Sequence, residues 1–298
     1  MDTFTGRSNL IIFCASRDGE TKKKFINVQG LIDKAAEVLT LGAETPVFAP
    51  NSLEKLALGL PTLRQKNHIR KVITRVGQEE TFQLWENDLL KVAKWLTYFD
   101  EFQQLPLNLK MDMLKGIWII WGRLDKLSTM AYARRHRIVG DQQAILEIGE
   151  NQIIFEMGTL DIDLSWCSRY SFEQLKFFGQ PKLDTLRWIA NQLISLELTE
   201  VELTYMFCQL SLHHVGKRYG GEIQEVSERL QESLSNDLHD YYSNRLRMER
   251  YADRVSNMMK VNNGVRFWNN QRRQKMELMN VFDVFYVEYS DPDMFLDF

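Results

Sequence analysis

The chain has 298 residues, 44% of them hydrophobic, enough to bury a sizeable core, which excludes wholesale disorder. A net charge of -3 gives no global reason to expect nucleic acid as a partner. Cys14, Cys167 and Cys208 form no Cys-x-x-Cys pair, which argues for a reducing compartment and against a zinc module.

Residues 1–24 read as a flexible N-terminal lead. Its apolar run, Leu10 to Ala15, is shorter than a secretory core and is followed by Arg17-Asp18-Gly19-Glu20 instead of a cleavage site, so export is not expected. The Lys22-Lys23-Lys24 triplet reads as a solvated run. Residues 25–65 read as a hinge-like segment with one short helix, in which Val28, Leu31, Ile32, Ala35 and Leu39 make a modest stripe. Pro46, Pro50 and Pro61 break regular structure there and mark the approach to the main domain, residues 66–298.

In that domain a helical pattern runs from His68 to Phe102 with a loop near Gly77. Trp85, Leu89, Val92, Leu96, Phe99 and Phe102 form an apolar stripe, with Lys91, Lys94 and Asp100 off it. The next helix, capped by Asn108 after Pro106, is apolar nearly all round from Met111 to Trp121. At about 12 strongly apolar residues it is too short to span a bilayer, so it must be covered on most sides by other helices. A middle layer of a thick helical sandwich is its simplest home.

Beyond it, Arg134-Arg135-His136-Arg137 reads as an exposed basic turn. Apolar runs on either side of Gly149-Glu150 predict a small β-hairpin. Ser171 with Gln174 and Thr199 with Glu202 are capping boxes that open later helices. His213 and His214 point about 100° apart on a helix and cannot chelate one ion together, so both read as structural. Gly220-Gly221 ends that helix, and Ile223 to Tyr241 carry the next. An irregularity is expected at Asn262-Asn263-Gly264. Arg245 to Lys275 holds nine basic residues against two acids, whereas residues from Met276 onward hold six acids and no base, which invites the tail to dock on a nearby basic surface or on a partner. No nucleophile elbow, zinc-protease motif, dinucleotide fingerprint or phosphate loop is present, so no catalytic residue, metal or cofactor is assigned.

Phe102-x-x-Leu105, then Met113-Leu114-Lys115, then Trp118 resembles the signature of nuclear hormone receptor ligand-binding domains across their third to fifth helices. Trp95-Leu-Thr-Tyr-Phe-Asp-Glu-Phe, the segment from Glu44 to Ser52, and Arg250-Tyr-Ala-Asp-Arg are similar to the expanded nematode receptors. The resemblance implies an all-α, three-layer antiparallel helical sandwich with one small β-hairpin. It also implies nuclear work as a regulator of transcription, a small lipophilic ligand, a coregulator helix as partner, and a receptor homo- or heterodimer. A short acidic terminal helix, similar to Asp293-Met-Phe-Leu-Asp-Phe, completes the coregulator groove in such domains. By position Lys115 matches one basic residue of the groove, Leu114 and Lys110 line its floor, Lys94 is the second basic candidate and Asp297 the acid. Thr97 stands at the usual basic site, and the acid is an aspartate. Phe99, Trp118, Ile119, Gly122 and Arg123 are the ligand-pocket candidates, with Arg123 able to anchor a carboxylate.

Family members usually carry two four-cysteine zinc fingers ahead of the hinge, and three cysteines cannot supply them, so direct nucleic-acid binding is not expected; nor is membrane association, the apolar helix being too short to span a bilayer. Two other readings are a dimerisation module that sequesters receptors through Arg245 to Lys275, and an intracellular lipid carrier.

Overall fold

The computed structural model describes residues 23–64, 70–71, 74–140, 142–148, 151–156, 159–179 and 183–297. In chain order these form β1 (Lys24–Ile26), α1 (Gln29–Leu41), α2 (Ser52–Leu63), β2 (Arg70–Lys71), β3 (Arg75–Val76), α3 (Gln78–Leu96), α4 (Asp100–Gln103) and α5 (Leu107–Arg135). Then follow β4 (Gln143–Ile148), β5 (Asn151–Glu156), β6 (Asp161–Ile162), α6 (Phe172–Gly179), α7 (Leu183–Leu196), α8 (Glu200–Tyr219), α9 (Gly221–Asp240), α10 (Ala252–Val281) and β7 (Val287–Tyr289). A π-helical turn, Tyr241–Arg245, closes α9, and a 3-10 turn, Pro292–Phe295, lies near the end of the chain. The fold is all-α with small strand pairs. The N-terminal lead with its Leu10–Ala15 run and Cys14, and the hairpin turn Gly149-Glu150, lie outside the described residues.

The tryptophan-rich helix is the middle of the molecule. Trp118, Trp121, Met113, Leu114, Ile117, Ile120 and Leu124 of α5 are all 2% exposed or less. α8 lies against α5; α1, α2 and α3 form one packed group on this pair, and α7 and α10 another. α5 and α8 approach so closely that a Cβ on Gly116 would stand 2.9 Å from Val215 Cγ2. The ring of Trp121 stacks on Phe207 of α8 at 4.5 Å and meets Trp95 of α3 at 5.5 Å. The helix begins earlier than the sequence implied: Pro106, in an extended conformation, is the N-cap, and Asn108 sits inside the first turn without capping it.

Several sequence expectations change for local reasons. Residues 52–63, expected to belong to a hinge, form a helix whose Leu53, Leu56 and Leu60 are fully buried in the same core as α5. Asn51 caps it, accepting from Glu54 N at 2.8 Å, and Pro61 is tolerated in its last turns. The helical pattern begun at His68 gives way to β2 and β3 before α3, where two-residue strands are too short to show a period. β4 and β5 form the expected antiparallel hairpin, and β2 extends it in parallel beside β5; β3 pairs with β6 and β1 with β7. α10 passes straight through Asn262-Asn263-Gly264: Asn262 Nδ2 donates to Met206 O at 2.9 Å, and a Cβ on Gly264 would lie 2.7 Å from Trp188 Cζ3. These residues mark close helix packing. Both capping boxes are present, at Ser171 with Gln174 and at Thr199 with Glu202.

Lys91, read as off the apolar stripe, is in fact buried. Its ammonium meets Asp125 of α5 at 2.7 Å and Glu147 of the hairpin at 2.9 Å. Burial disfavours the charged amine, but the two carboxylates outweigh it and hold the Lys91 pKa above the ordinary value. Glu202 is fully buried as well, bonded to Tyr242 Oη at 2.7 Å and to Arg254, the last residue of the Arg250-Tyr-Ala-Asp-Arg run. Among the described residues no helix is long and apolar enough to cross a membrane, and no His, Cys, Asp or Glu group could hold a metal ion.

Replacing Lys91→Ala takes from buried Asp125 its hydrogen-bonded cation and leaves only Arg64, at 3.7 Å, so a loss of about 3 kcal/mol is expected. A shift of the urea unfolding midpoint that small surface substitutions share would contradict this.

Candidate functional site

The C-terminal segment is bound to the middle helices by a set of polar contacts that its acidic composition only partly announces. β7 lies parallel to β1, and Ser290 Oγ accepts from Val28 N at 2.9 Å. Asp291 then opens the 3-10 turn: one carboxylate oxygen accepts from Met294 N at 3.3 Å, and the other pairs with Lys115 of α5 at 2.7 Å. Pro292, with its fixed φ and no N–H to satisfy, suits the first position of the turn. Met294 and Phe295 are buried beneath it, Phe295 4.2 Å from the Tyr289 ring, 4.7 Å from Trp85 and edge-on to Trp118 at 6.0 Å. The indole N–H of Trp118 donates to Met294 O at 3.0 Å.

Asp297 makes the deepest contact. It is 1% exposed, and its carboxylate receives His214 Nε2 at 2.9 Å, Arg218 Nη1 at 2.7 Å and Asn269 Nδ2 at 3.3 Å. Arg218 also donates to Asp293 O, and Arg123 donates to the backbone carbonyl of Asp297 while its guanidinium lies 5.5 Å from the Trp268 ring centre. Burial raises a carboxyl pKa, yet here the His214 hydrogen bond first, then the His214 and Arg218 charges and the Asn269 bond, outweigh it and hold Asp297 at about 2. Arg123 is itself lowered to about 9, by burial and by the neighbouring Arg272 charge. Three helices, α5, α8 and α10, thus converge on one buried acid at the end of the terminal turn.

The candidate residues fall into two groups. Lys94, Lys110, Leu114 and Lys115 lie on α3 and α5, where α1 and the terminal segment cover them. Lys115 holds Asp291; Lys94 pairs with Glu44 at 2.8 Å; Lys110 is buried, with its ammonium on Leu39 O, Gln103 O and Gln103 Oε1; Leu114 is fully buried. Asp297 is turned away from that face, into the α5, α8 and α10 interior, because its partners are there. Of the pocket candidates, Trp118 and Arg123 hold the terminal segment, Ile119 is 8% exposed, and Gly122 faces Asp88. Phe99 stands apart, stacked on Phe102 at 6.5 Å. A cavity of about 430 Å³ opens beside Arg75, Asp163, Ser165 and Tyr170, and one of about 80 Å³ lies beside Arg135, Glu197 and Leu203; the five pocket candidates border neither.

His214, Arg218 and Asn269 were missed as site residues. His214 and Arg218 sit four apart on α8, one helical face, which is the spacing that lets two donors reach one acid. The acidic tail does dock on basic residues, but on Lys115, Arg123 and Arg218, and the Arg245 to Lys275 run contributes Asn269 in their place.

Residues 66–282 match the family model described as the ligand-binding domain of nuclear hormone receptor. The chain belongs to the nuclear hormone receptor family. It is similar to nuclear hormone receptor family member nhr-55 of Caenorhabditis elegans, 48% identical over 297 residues, which cover 99% of this chain and 70% of that protein. Family members nhr-98 and nhr-130 of the same organism are 45% and 44% identical, over 100% of this chain and 69% and 68% of theirs. The helical fold and the resemblance read at Phe102, Leu114 and Trp118 therefore agree with the family. Members of this family are in general ligand-regulated transcription factors.

Substituting Asp297→Ala strands Arg218 and His214 without their acid, and a stability loss of about 3 kcal/mol is expected. Because the folded pKa lies below the usual ~3.9, the Asp297 contribution is complete above about pH 4 and is lost as pH falls towards 2. Thermal unfolding between pH 5 and pH 2.5 should steepen in the parent chain relative to Asp297→Ala; parallel curves would contradict the assignment.

Proposed function

We propose that the chain is the ligand-binding module of a receptor that regulates transcription, with a coregulator helix seated beside α3 and α5 and the terminal segment setting that face. The observation that carries this reading is the docked segment itself: Trp118, Arg123, Lys115, His214 and Arg218 hold Pro292 to Asp297 against the middle helices. Groove residues in this reading are Lys94, Lys110, Leu114 and Lys115, the first and last of which keep ammonium groups at the surface edge. Asp297 sets the position of the terminal turn from within.

A small lipophilic molecule is the proposed ligand, taken up beside Trp118, Ile119, Gly122 and Arg123 when the terminal segment or its neighbours shift; Phe99 would line the far end. A ligand that prefers one position of the segment moves the population of the whole by its difference in affinity for the two. Pairing with a second receptor fits α10, which exposes Phe267 and Leu278 alongside its arginines. These 298 residues hold three cysteines, short of two four-cysteine zinc sites, so DNA reading falls to a partner or to another segment.

Fused to an unrelated DNA-binding domain, the chain should change output of a matching reporter gene by several fold, and Asp297→Ala should abolish the change. Reporter output equal to that of the DNA-binding domain alone, under lipid-rich and lipid-depleted conditions, would defeat the proposal.

A further inference from the structure

α1 is a short amphipathic helix lying on the face just assigned to a coregulator. Its 13 residues are too few to hold a helix alone in water, so the face beneath keeps it folded. Ala35 and Leu39 are buried and Ile32 half-buried, at spacings of three and four, while Asp33, Lys34, Glu37 and Thr40 face solvent.

Both ends are held. At the C-terminal end the buried Lys110 ammonium donates to Leu39 O at 3.4 Å, and its other acceptors are two oxygens of Gln103. A cation supported by carbonyl oxygens is thus set at the negative end of the α1 dipole. At the other end Val28 N donates to Ser290 Oγ at 2.9 Å. Lys34 pairs with Glu86 at 2.5 Å and Glu44 with Lys94 at 2.8 Å, so α1 runs along α3 in the same direction. An apolar stripe, a cation at the carbonyl end and an acceptor at the amide end are the requirements of a groove that grips a helix. In the chain after α1, Phe48 is 92% exposed.

We infer that the α3 and α5 face beneath α1 is the docking surface for an amphipathic helix of a partner protein, and that α1 is its in-chain occupant, so the two exclude one another. This rests on the receptor reading above. The partner helix carries aliphatic side chains spaced as Ile32, Ala35 and Leu39, a base opposite Glu86, bare C-terminal carbonyls for Lys110 and an acid beyond them for Lys94. Because β1 and Val28 are bonded to β7 and Ser290, displacement of α1 is coupled to the seating of the terminal segment.

The test uses a fluorescein-labelled peptide of residues 29–41 and the full chain, read by fluorescence anisotropy. Leu39→Glu, which weakens α1 docking, should tighten peptide binding at least tenfold over the parent chain. Adding Lys110→Ala to that variant should reverse the gain at least fivefold. Equal affinities for parent and Leu39→Glu chains, both folded by circular dichroism, would overturn the inference. Should Leu39→Glu fail to fold, a chain with a protease site inserted between Ala43 and Phe48 and cut after folding should exchange α1 for the labelled peptide, and failure to exchange would equally overturn it. Exchange with no reporter response sinks the transcription reading and leaves this surface standing; a reporter response with no exchange does the reverse.

Discussion

A carboxylate withdrawn from water must be met by charge and hydrogen bonds, or it pulls a proton and ceases to be an anion. Asp297 satisfies this at 1% exposure through His214, Arg218 and Asn269, three side chains from two different helices. The terminal turn rests where all three donors are in reach of its acid. Trp118 and Arg123 then bond backbone carbonyls of the same segment, which fixes its path as well as its end. The segment is held by side chains that belong to the middle of the fold.

That middle is α5. A helix apolar nearly all round has no solvent face to offer, so α3, α7, α8 and α10 must surround it, and the remaining polar residues on it are forced to find partners inside. Lys110, Lys115, Arg123 and Asp125 each do so with a different neighbour: α1 and the α4 end, the terminal turn, the last residues and Lys91. One rod therefore ties the N-terminal helix, the hairpin through Lys91 and Glu147, and the C-terminal segment into a common frame.

The burial of the rod was legible because its period is absent: apolar residues on every side leave no alternative. The stripe from Trp85 to Phe102, both capping boxes and the hairpin were legible because each is a local pattern. α2 was hidden by Pro46, Pro50 and Pro61, although Asn51 with Glu54 carried its start; Pro61 costs one helix bond, which Leu53, Leu56 and Leu60 offset by burial. Lys91 was misread since the sequence names charges but not their partners, and Asp125 and Glu147 lie far along the chain. For the same reason Asp297 could be singled out as an acid of the terminal segment, while its partners His214 and Arg218, about eighty positions earlier, could not. The family resemblance located Lys94, Lys110, Leu114 and Lys115 on one covered face, but not the helix that covers it.

The central claim is that the terminal segment is docked by its buried acid. Hydrogen–deuterium exchange across residues 291–297 tests it most directly, since a docked turn protects its amides and a free tail does not. Slow exchange at Met294 and its neighbours in the parent chain, becoming fast in Arg218→Ala, is the predicted result. Rapid exchange of this stretch in the parent chain, with α5 and α8 fully protected, would contradict the account.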